Sequence, residues 1–302
     1  MERILLTGAT GFLGKNLKPV LEENYEVIGI GSNDFDLRYQ ENVYLAFEKF
    51  EPDIVVHAAG SVGGILANRE NPGKFMYDNL IMGANLIETA RTSNVKKFVL
   101  LGTVCAYPKL TEIPFEEKNL WNGYPEETNA PYGIAKKTLM KLAETYHYQY
   151  GLNVVNLIPV NMYGPYDHFN LTSSHVIPAL ILNFYNAVKY KYDYVTLWGT
   201  GEASREFLYA PDCAEAIKLA IQKDVGPDPI NIGTGVEIKI ADLAEIIANL
   251  MGFEGTILFD SSKPDGQPRR CLNTKSAKDR LGFTAKTSLV DGLLKTINWF
   301  LG

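Results

Sequence analysis

The strongest constraint on the fold lies in the opening residues. A short apolar run at 4–7 passes without a linker into Gly8-Ala9-Thr10-Gly11-Phe12-Leu13-Gly14, a GxxGxxG loop that opens a helical pattern. A strand that turns this tightly into a helix needs residues without side chains where the backbone doubles back and where helix meets strand. The turn also leaves the N–H groups of the first helical turn aimed outward, a ready site for a pyrophosphate. The alternation continues, with runs at 26–30, 53–57, 97–101 and 154–158 reading as buried strands separated by stretches long enough for crossover helices. Such a pattern implies a Rossmann-type α/β fold, a doubly wound parallel sheet covered on both faces, with its ligand crevice at the carboxyl ends of the strands.

Past Gly164 the regularity loosens. Prolines stand at 165, 178, 211, 227, 229, 264 and 268, and two Gly-rich turns fall at 198–201 and 233–235, with helices expected over 174–190 and 240–251. We therefore expect residues 1–163 to form a dinucleotide-binding domain to which later segments return, and 164–302 to be mainly a smaller α/β substrate lobe. With 302 residues, 46% of them hydrophobic, the chain can bury a core for both parts. A net charge of -6 argues against nucleic acid as a partner. No apolar run approaches the roughly 18 residues of a membrane span, and none at the N-terminus resembles a signal peptide. Cys105, Cys213 and Cys271 are sparse and odd in number, without CxxC spacing, which points to a reducing, cytoplasmic setting and to no metal site.

The strand-end residues carry the chemistry. After the second strand, Ser32 and Asn33 can hydrogen-bond either a ribose hydroxyl or a 2′-phosphate, so the residues leave NAD against NADP open. Asp36 and Leu37 either flank an adenine or cap the next helix. Tyr132 and Lys136 stand four apart, on one face of a helix. An ammonium beside a phenol favours phenolate, which would make Tyr132 a usable acid or base. A Y-x-x-x-K pair alone is common by chance. Thr103, at the end of the 97–101 strand, adds a hydroxyl able to bind the same substrate oxygen.

Glycine loop, strand-end hydroxyl and Tyr/Lys pair in that order resemble the extended, nucleotide-sugar-modifying branch of the short-chain dehydrogenase/reductase superfamily. His57-Ala58-Ala59-Gly60 and Asn79 match its cofactor side. Longer blocks narrow the likeness: Ser61 to Asn68, Gly102 to Lys109, Asn161 to Asp167, Ser174 to Ala179, Trp198 to Gly201 with Arg205-Glu206-Phe207, and Ser262 to Gly266. Together they resemble the GDP-L-fucose synthase family, nearly from end to end.

The resemblance implies epimerisation at C3 and C5 of GDP-4-keto-6-deoxy-D-mannose and reduction at C4, with NADP(H) favoured over NAD(H). It implies Thr103, Cys105, Tyr132, Lys136 and His175 as catalytic residues, with acid and base not assigned between Cys105 and His175. Cofactor contacts would come from Gly8, Thr10, Gly11, Phe12, Leu13, Gly14, Ser32, Asn33, Asp36, Leu37, Ala58, Leu101, Gly102, Lys136, Pro159, Asn161, Met162 and His175. The GDP-sugar would meet Asn161, Trp198, Arg205, Lys263 and Asp265, and the enzyme would be a homodimer.

Each assignment has a plainer counterpart. A strand-end cysteine is most often a small buried apolar group, and a lone histidine a satisfied polar one. Arg205 could form an ion pair with Glu206 or Asp212, and Trp198 could be a core aromatic. Departures from the family pattern fall at Thr103, Ser61, Val160 and Asn183. The rival readings are an NAD-retaining 4-epimerase, which needs no Cys/His pair, and a silent dinucleotide-binding regulator, which need not keep both Tyr132 and Lys136. A 4,6-dehydratase would carry an Asp-Glu pair where this chain has Val104-Cys105.

Overall fold

The computed structural model describes residues 1–302 except 171–173 and 264, and it leaves out the side chains of Ile65 and Leu66. In chain order, β1 (Arg3–Thr7), α1 (Phe12–Glu22), β2 (Glu26–Ile30), α2 (Gln40–Phe50), β3 (Ile54–His57), α3 (Ile65–Glu70), α4 (Pro72–Thr92), β4 (Lys97–Leu101), α5 (Ala130–Tyr150) and β5 (Val154–Pro159) make up the first half. There follow β6 (Asn161–Tyr163), α6 (Val176–Tyr190), β7 (Tyr194–Trp198), β8 (Ser204–Tyr209), α7 (Ala210–Gln222), β9 (Ile230–Ile232), β10 (Glu237–Lys239), α8 (Ile240–Met251), β11 (Thr256–Asp260) and α9 (Leu289–Leu301).

Six strands form a parallel sheet in the order β2-β1-β3-β4-β5-β9. The chain steps one way from β1 to β2 and the other way from β3 to β5. Right-handed crossovers therefore put α1 on one face and α2, α4 and α5 on the opposite one. α7 packs against α1 and completes the first layer, while α4 lies along α5 and α2 in the second. β3, β4 and β5 are covered on both faces, so every residue of each is buried, whereas β2 at the edge is half-exposed. Between β1 and β3 the strand order reverses, and there the crevice opens.

The five runs expected as strands are all present, with bounds moved by at most a residue. The sixth strand, β9, is only three residues long, and its Ile-Asn-Ile lies beside a Gly-rich turn, so no period marks it. The helix expected from 174 begins at Val176, with His175 as its N-cap residue.

A second core lies beyond the sheet. Ile177, Leu180, Ile181, Phe184 and Ala187 of α6, spaced by three and four, meet Leu243, Ala244, Ile247 and Ala248 of α8. Leu293 and Ile297 of α9, with Phe207 and Tyr209 of β8, close it. β8 bridges the two parts, pairing parallel with β6 and antiparallel with β10, while β7 pairs with β11 in a separate two-stranded sheet. One side of this second core faces the ends of the parallel strands.

Candidate active site

The loop after β1 fits a pyrophosphate. Gly8 has φ +73°, and a Cβ there would come within 2.7 Å of Ala59 Cα, while one on Gly14 would lie 2.2 Å from Gly8 O. Helix α1 is therefore seated directly on the loop, and Gly11 N closes the turn on Gly8 O at 3.0 Å. Gly11, the N-cap residue, offers no side chain to the first turn, whose N–H groups remain for a ligand. Behind the loop, the Thr7 hydroxyl joins His57 Nδ1 (2.9 Å) and accepts from Ala59 N (3.3 Å), tying the ends of β1 and β3 together. Burial, and after it the charge of Lys136, hold the His57 imidazole well below its usual value.

Helix α5 brings in Tyr132 and Lys136. A Cβ on Gly133 would stand 2.3 Å from Cys105 O, so this residue lets the helix lie against the turn Val104–Ala106. Thr103 begins that turn, its hydroxyl accepting from Cys105 N at 3.2 Å. Burial pushes the Tyr132 phenol up, the neighbouring Cys105 adds to the effect, and hydrogen bonding with Thr103 opposes it. Burial therefore sets the phenol in place of the expected depression by Lys136, and Tyr132 holds its proton at neutral pH. Lys136, only 3% exposed, is itself lowered to about 8 by burial.

Gly8, Gly11, Gly14, Ala59, Thr103, Cys105, Tyr132 and Lys136 line one cleft of about 1220 Å³, larger than the roughly 300–1,000 Å³ of a single-ligand pocket. Its volume suits two ligands. Thr10, Phe12, Leu13, Ser32, Asn33, Asp36, Leu37, Ala58, Leu101, Gly102, Pro159, Asn161 and Met162 line it too, as do His175, Trp198, Arg205 and Asp265.

Asp36 does not cap a helix, since α2 begins at Gln40 with Tyr39 before it. Its carboxylate instead accepts from Arg38 (Nη2 2.7 Å, Nε 2.9 Å), and Arg38 also reaches Asp78 at 3.5 Å. His175 is exposed to the cleft, yet the protein crowded around it and, after that, His168 keep its imidazole below the usual value.

On the far wall, Arg205 pairs with neither Glu206 nor Asp212. Its nitrogens donate to the carbonyls of Ser204 (2.7 Å) and Asp265 (3.1 Å), and burial followed by the nearby Arg270 lowers it to about 10. Glu206 turns inward and accepts from Thr234 N, Gly235 N and Leu272 N, while Asp212 takes Lys286 N and Thr287 N. Trp198 is 62% exposed and so not a core residue. The Asp265 carboxylate is engaged by Thr200 N (2.7 Å) and Oγ1 (2.8 Å) and braces the turn after β7. Lys263 is not among the lining residues; its ammonium lies 5.5 Å over the Trp198 ring. Pro264, next to it, lies outside the described residues.

Several lining residues escape sequence reasoning: Arg38, Lys74, Glu126, Asn129, Gln267 and Arg270. Arg269-Arg270 reads as an ordinary basic surface pair, yet Arg270 is buried with its Nη1 3.6 Å from Cys105 Sγ. Asn129, at the entrance to α5, could have been flagged by its place three residues before Tyr132.

Residues 4–233 match the model of the NAD dependent epimerase/dehydratase family. The chain is 42% identical to a GDP-L-fucose synthase of Sinorhizobium fredii over 99% of its length and 96% of that protein's. It is 38% identical to a GDP-L-colitose synthase of Yersinia pseudotuberculosis, over 99% of this chain and 98% of the other. Among solved structures, a GDP-L-fucose synthetase of Naegleria fowleri bound to NADP superposes with a TM-score of 0.89 at 28% identity, covering 99% and 94% of the two chains.

Proposed function

The chain belongs to the NAD dependent epimerase/dehydratase family, and from that premise we propose that it is an NADP(H)-dependent epimerase/reductase converting GDP-4-keto-6-deoxy-D-mannose to GDP-L-fucose. The observation that carries this reading is a single cleft lined both by Thr103, Tyr132 and Lys136 and by Cys105 and His175. A 4-epimerase that keeps its coenzyme would need only the first set.

The glycine loop and the start of α1 would hold the coenzyme pyrophosphate, and Lys136 its ribose. Bound NADPH supplies the hydride for C4. Arg205 would engage the diphosphate of the sugar nucleotide, with Trp198 packed beside it. Thr103 and Tyr132 would hydrogen-bond the 4-keto oxygen, polarising it so that an enolate at C3 or C5 is tolerable. One of Cys105 and His175 would take the proton from carbon and the other return one to the opposite face. A neutral imidazole and a protonated phenol suit this order of events. Tyr132 keeps its proton through epimerisation and gives it to the C4 oxygen at reduction. The same reading takes residues 1–163 as the coenzyme part and 164–302 as mainly the sugar-nucleotide part of a cytoplasmic homodimer.

The test is direct. Protein incubated with GDP-4-keto-6-deoxy-D-mannose and NADPH is expected to oxidise one equivalent of coenzyme and yield GDP-L-fucose. Failure to oxidise either NADPH or NADH would remove the proposal.

A further inference from the structure

Cys105 faces a guanidinium that the reaction as set out above leaves unused. Arg270 lies 165 positions away in sequence, is 7% exposed, and directs Nη1 at Cys105 Sγ from 3.6 Å. Its other two nitrogens are held: Nε and Nη2 both donate to Gln267 Oε1, at 3.2 and 3.1 Å. Gln267 is equally buried and donates to Lys109 O at 2.9 Å, on the segment that leaves the Cys105 turn. The fork of Arg270 is thereby anchored to the backbone that carries the cysteine.

Two features separate this from a structural ion pair. The partner that fixes Arg270 is a neutral amide, so its charge is not cancelled by the group that holds it. A second guanidinium, Arg205, is close enough to be lowered by Arg270 and raised by Cys105, and beyond it by Asp265 and Glu126, so the sulfur shares the field of two cations with two carboxylates. Bringing two buried guanidinium groups together costs free energy unless an anion is to be met there.

We propose that Arg270 is the positioning residue for Cys105: it holds Sγ toward the sugar and supplies the positive charge that the sulfur faces whenever it is without its proton. The proposal rests on the epimerase reading above and names the residue that readies its thiol. The planar fork matters as well as the charge, because one edge grips Gln267 while Nη1 reaches sulfur. A lysine, with one nitrogen, keeps the charge but cannot do both.

The test reads the sulfur with and without the sugar. Alkylation of Cys105 by iodoacetamide at fixed pH, mapped by mass spectrometry with Cys105→Ser as the zero, requires no substrate. Arg270→Gln is expected to slow it by about tenfold or more, the scale of one lost charge-assisted hydrogen bond, and Arg270→Lys to restore part of the rate. Deuterium uptake from D2O at C3 and C5 of GDP-4-keto-6-deoxy-D-mannose, at saturating sugar, should fall in the same order, with NADPH affinity unchanged as the sign of an intact fold. If Arg270→Gln does not fold, Arg270→Lys carries the test, its alkylation expected between the wild-type rate and zero. Alkylation at the wild-type rate in whichever variant folds overturns the proposal, whatever happens to the KM for the sugar nucleotide. Absence of deuterium uptake in the wild-type protein would instead count against the epimerase reading, which separates the two failures.

Discussion

The wall of the cleft that carries Gly8, Thr103 and Tyr132 is made from strand ends and the helices next to them. The opposite wall, with Trp198, Arg205, Asp265 and Arg270, is gathered from the ends of β7 and β8 and the stretch after β11. On the first wall the contacts that shape the site join loops next to adjacent strands: Gly8 beside Ala59, Gly133 against Cys105. On the second they bridge 60 positions from Arg205 to Asp265 and 165 from Cys105 to Arg270. A wall of the first kind is dictated by local sequence and by the twist of one sheet. One of the second kind depends on segments distant in sequence being brought together by the tertiary fold.

The first wall holds both Tyr132 and Cys105; if these two groups divide the chemistry between them, variants of each should separate the two reactions. The largest effect is expected from Tyr132→Phe, which removes the proton donor: NADPH oxidation should fall by about 10²–10⁴-fold, while deuterium uptake at C3 and C5, for which Thr103 still binds the keto oxygen, should fall less. Equal loss of both would mean that Tyr132 does not act separately from the epimerising groups. Cys105→Ser should weigh on the other step, with deuterium uptake at C3 and C5, and so GDP-L-fucose formation, reduced by about 100-fold and coenzyme affinity, measured by fluorescence titration, unaltered.

A smaller effect concerns pH on the coenzyme wall. Lys136 titrates at about 8, so its ammonium is lost as pH rises through that value, and the coenzyme should bind progressively more weakly above it. In Lys136→Arg the charge persists and that alkaline limb should vanish; a limb that stays in place would show that another group controls binding.

The smallest effect belongs to the segment between β6 and α6, on the way to His175. Asp167 is buried, its Oδ1 accepts from His168 N at 2.7 Å, and its Oδ2 has no hydrogen-bond partner among the described residues. Burial raises its carboxyl to about 7 from 3.8. Between those values the folded protein binds more protons than the unfolded one, so this contribution to stability is present at low pH and lost as pH rises toward 7. Asp167→Asn should raise the melting temperature relative to wild type, clearly more at pH 8 than at pH 5, and bring little change only near pH 4. An unchanged difference between the two pH values would contradict the assignment.

The same contrast explains what could be read in advance. The parallel sheet was legible because β3, β4 and β5 are buried on both faces and show as unbroken apolar runs, and the glycine loop because its spacing is a local requirement. β9 was not, being three residues whose place is set by pairing with β5. Tyr132, Lys136 and Thr103 could be found by helical spacing and strand ends. The depression of Tyr132 by Lys136 did not follow, because burial of the phenol sets its protonation. Arg270 could not be picked out from Arg269, since only the tertiary fold buries one and leaves the other exposed. The GDP-sugar contact expected of Lys263 rested on resemblance alone, and its ammonium lies over the ring of Trp198, which lines the cleft.

The account holds that one cleft performs two kinds of chemistry on one sugar. Its most direct test is the product formed in D2O from GDP-4-keto-6-deoxy-D-mannose and NADPH, identified by NMR. The expected product is GDP-L-fucose with deuterium at both C3 and C5 and one equivalent of NADPH consumed. A reduced sugar that keeps its protons and its configuration at C3 and C5 would contradict the account and leave a simple ketoreductase.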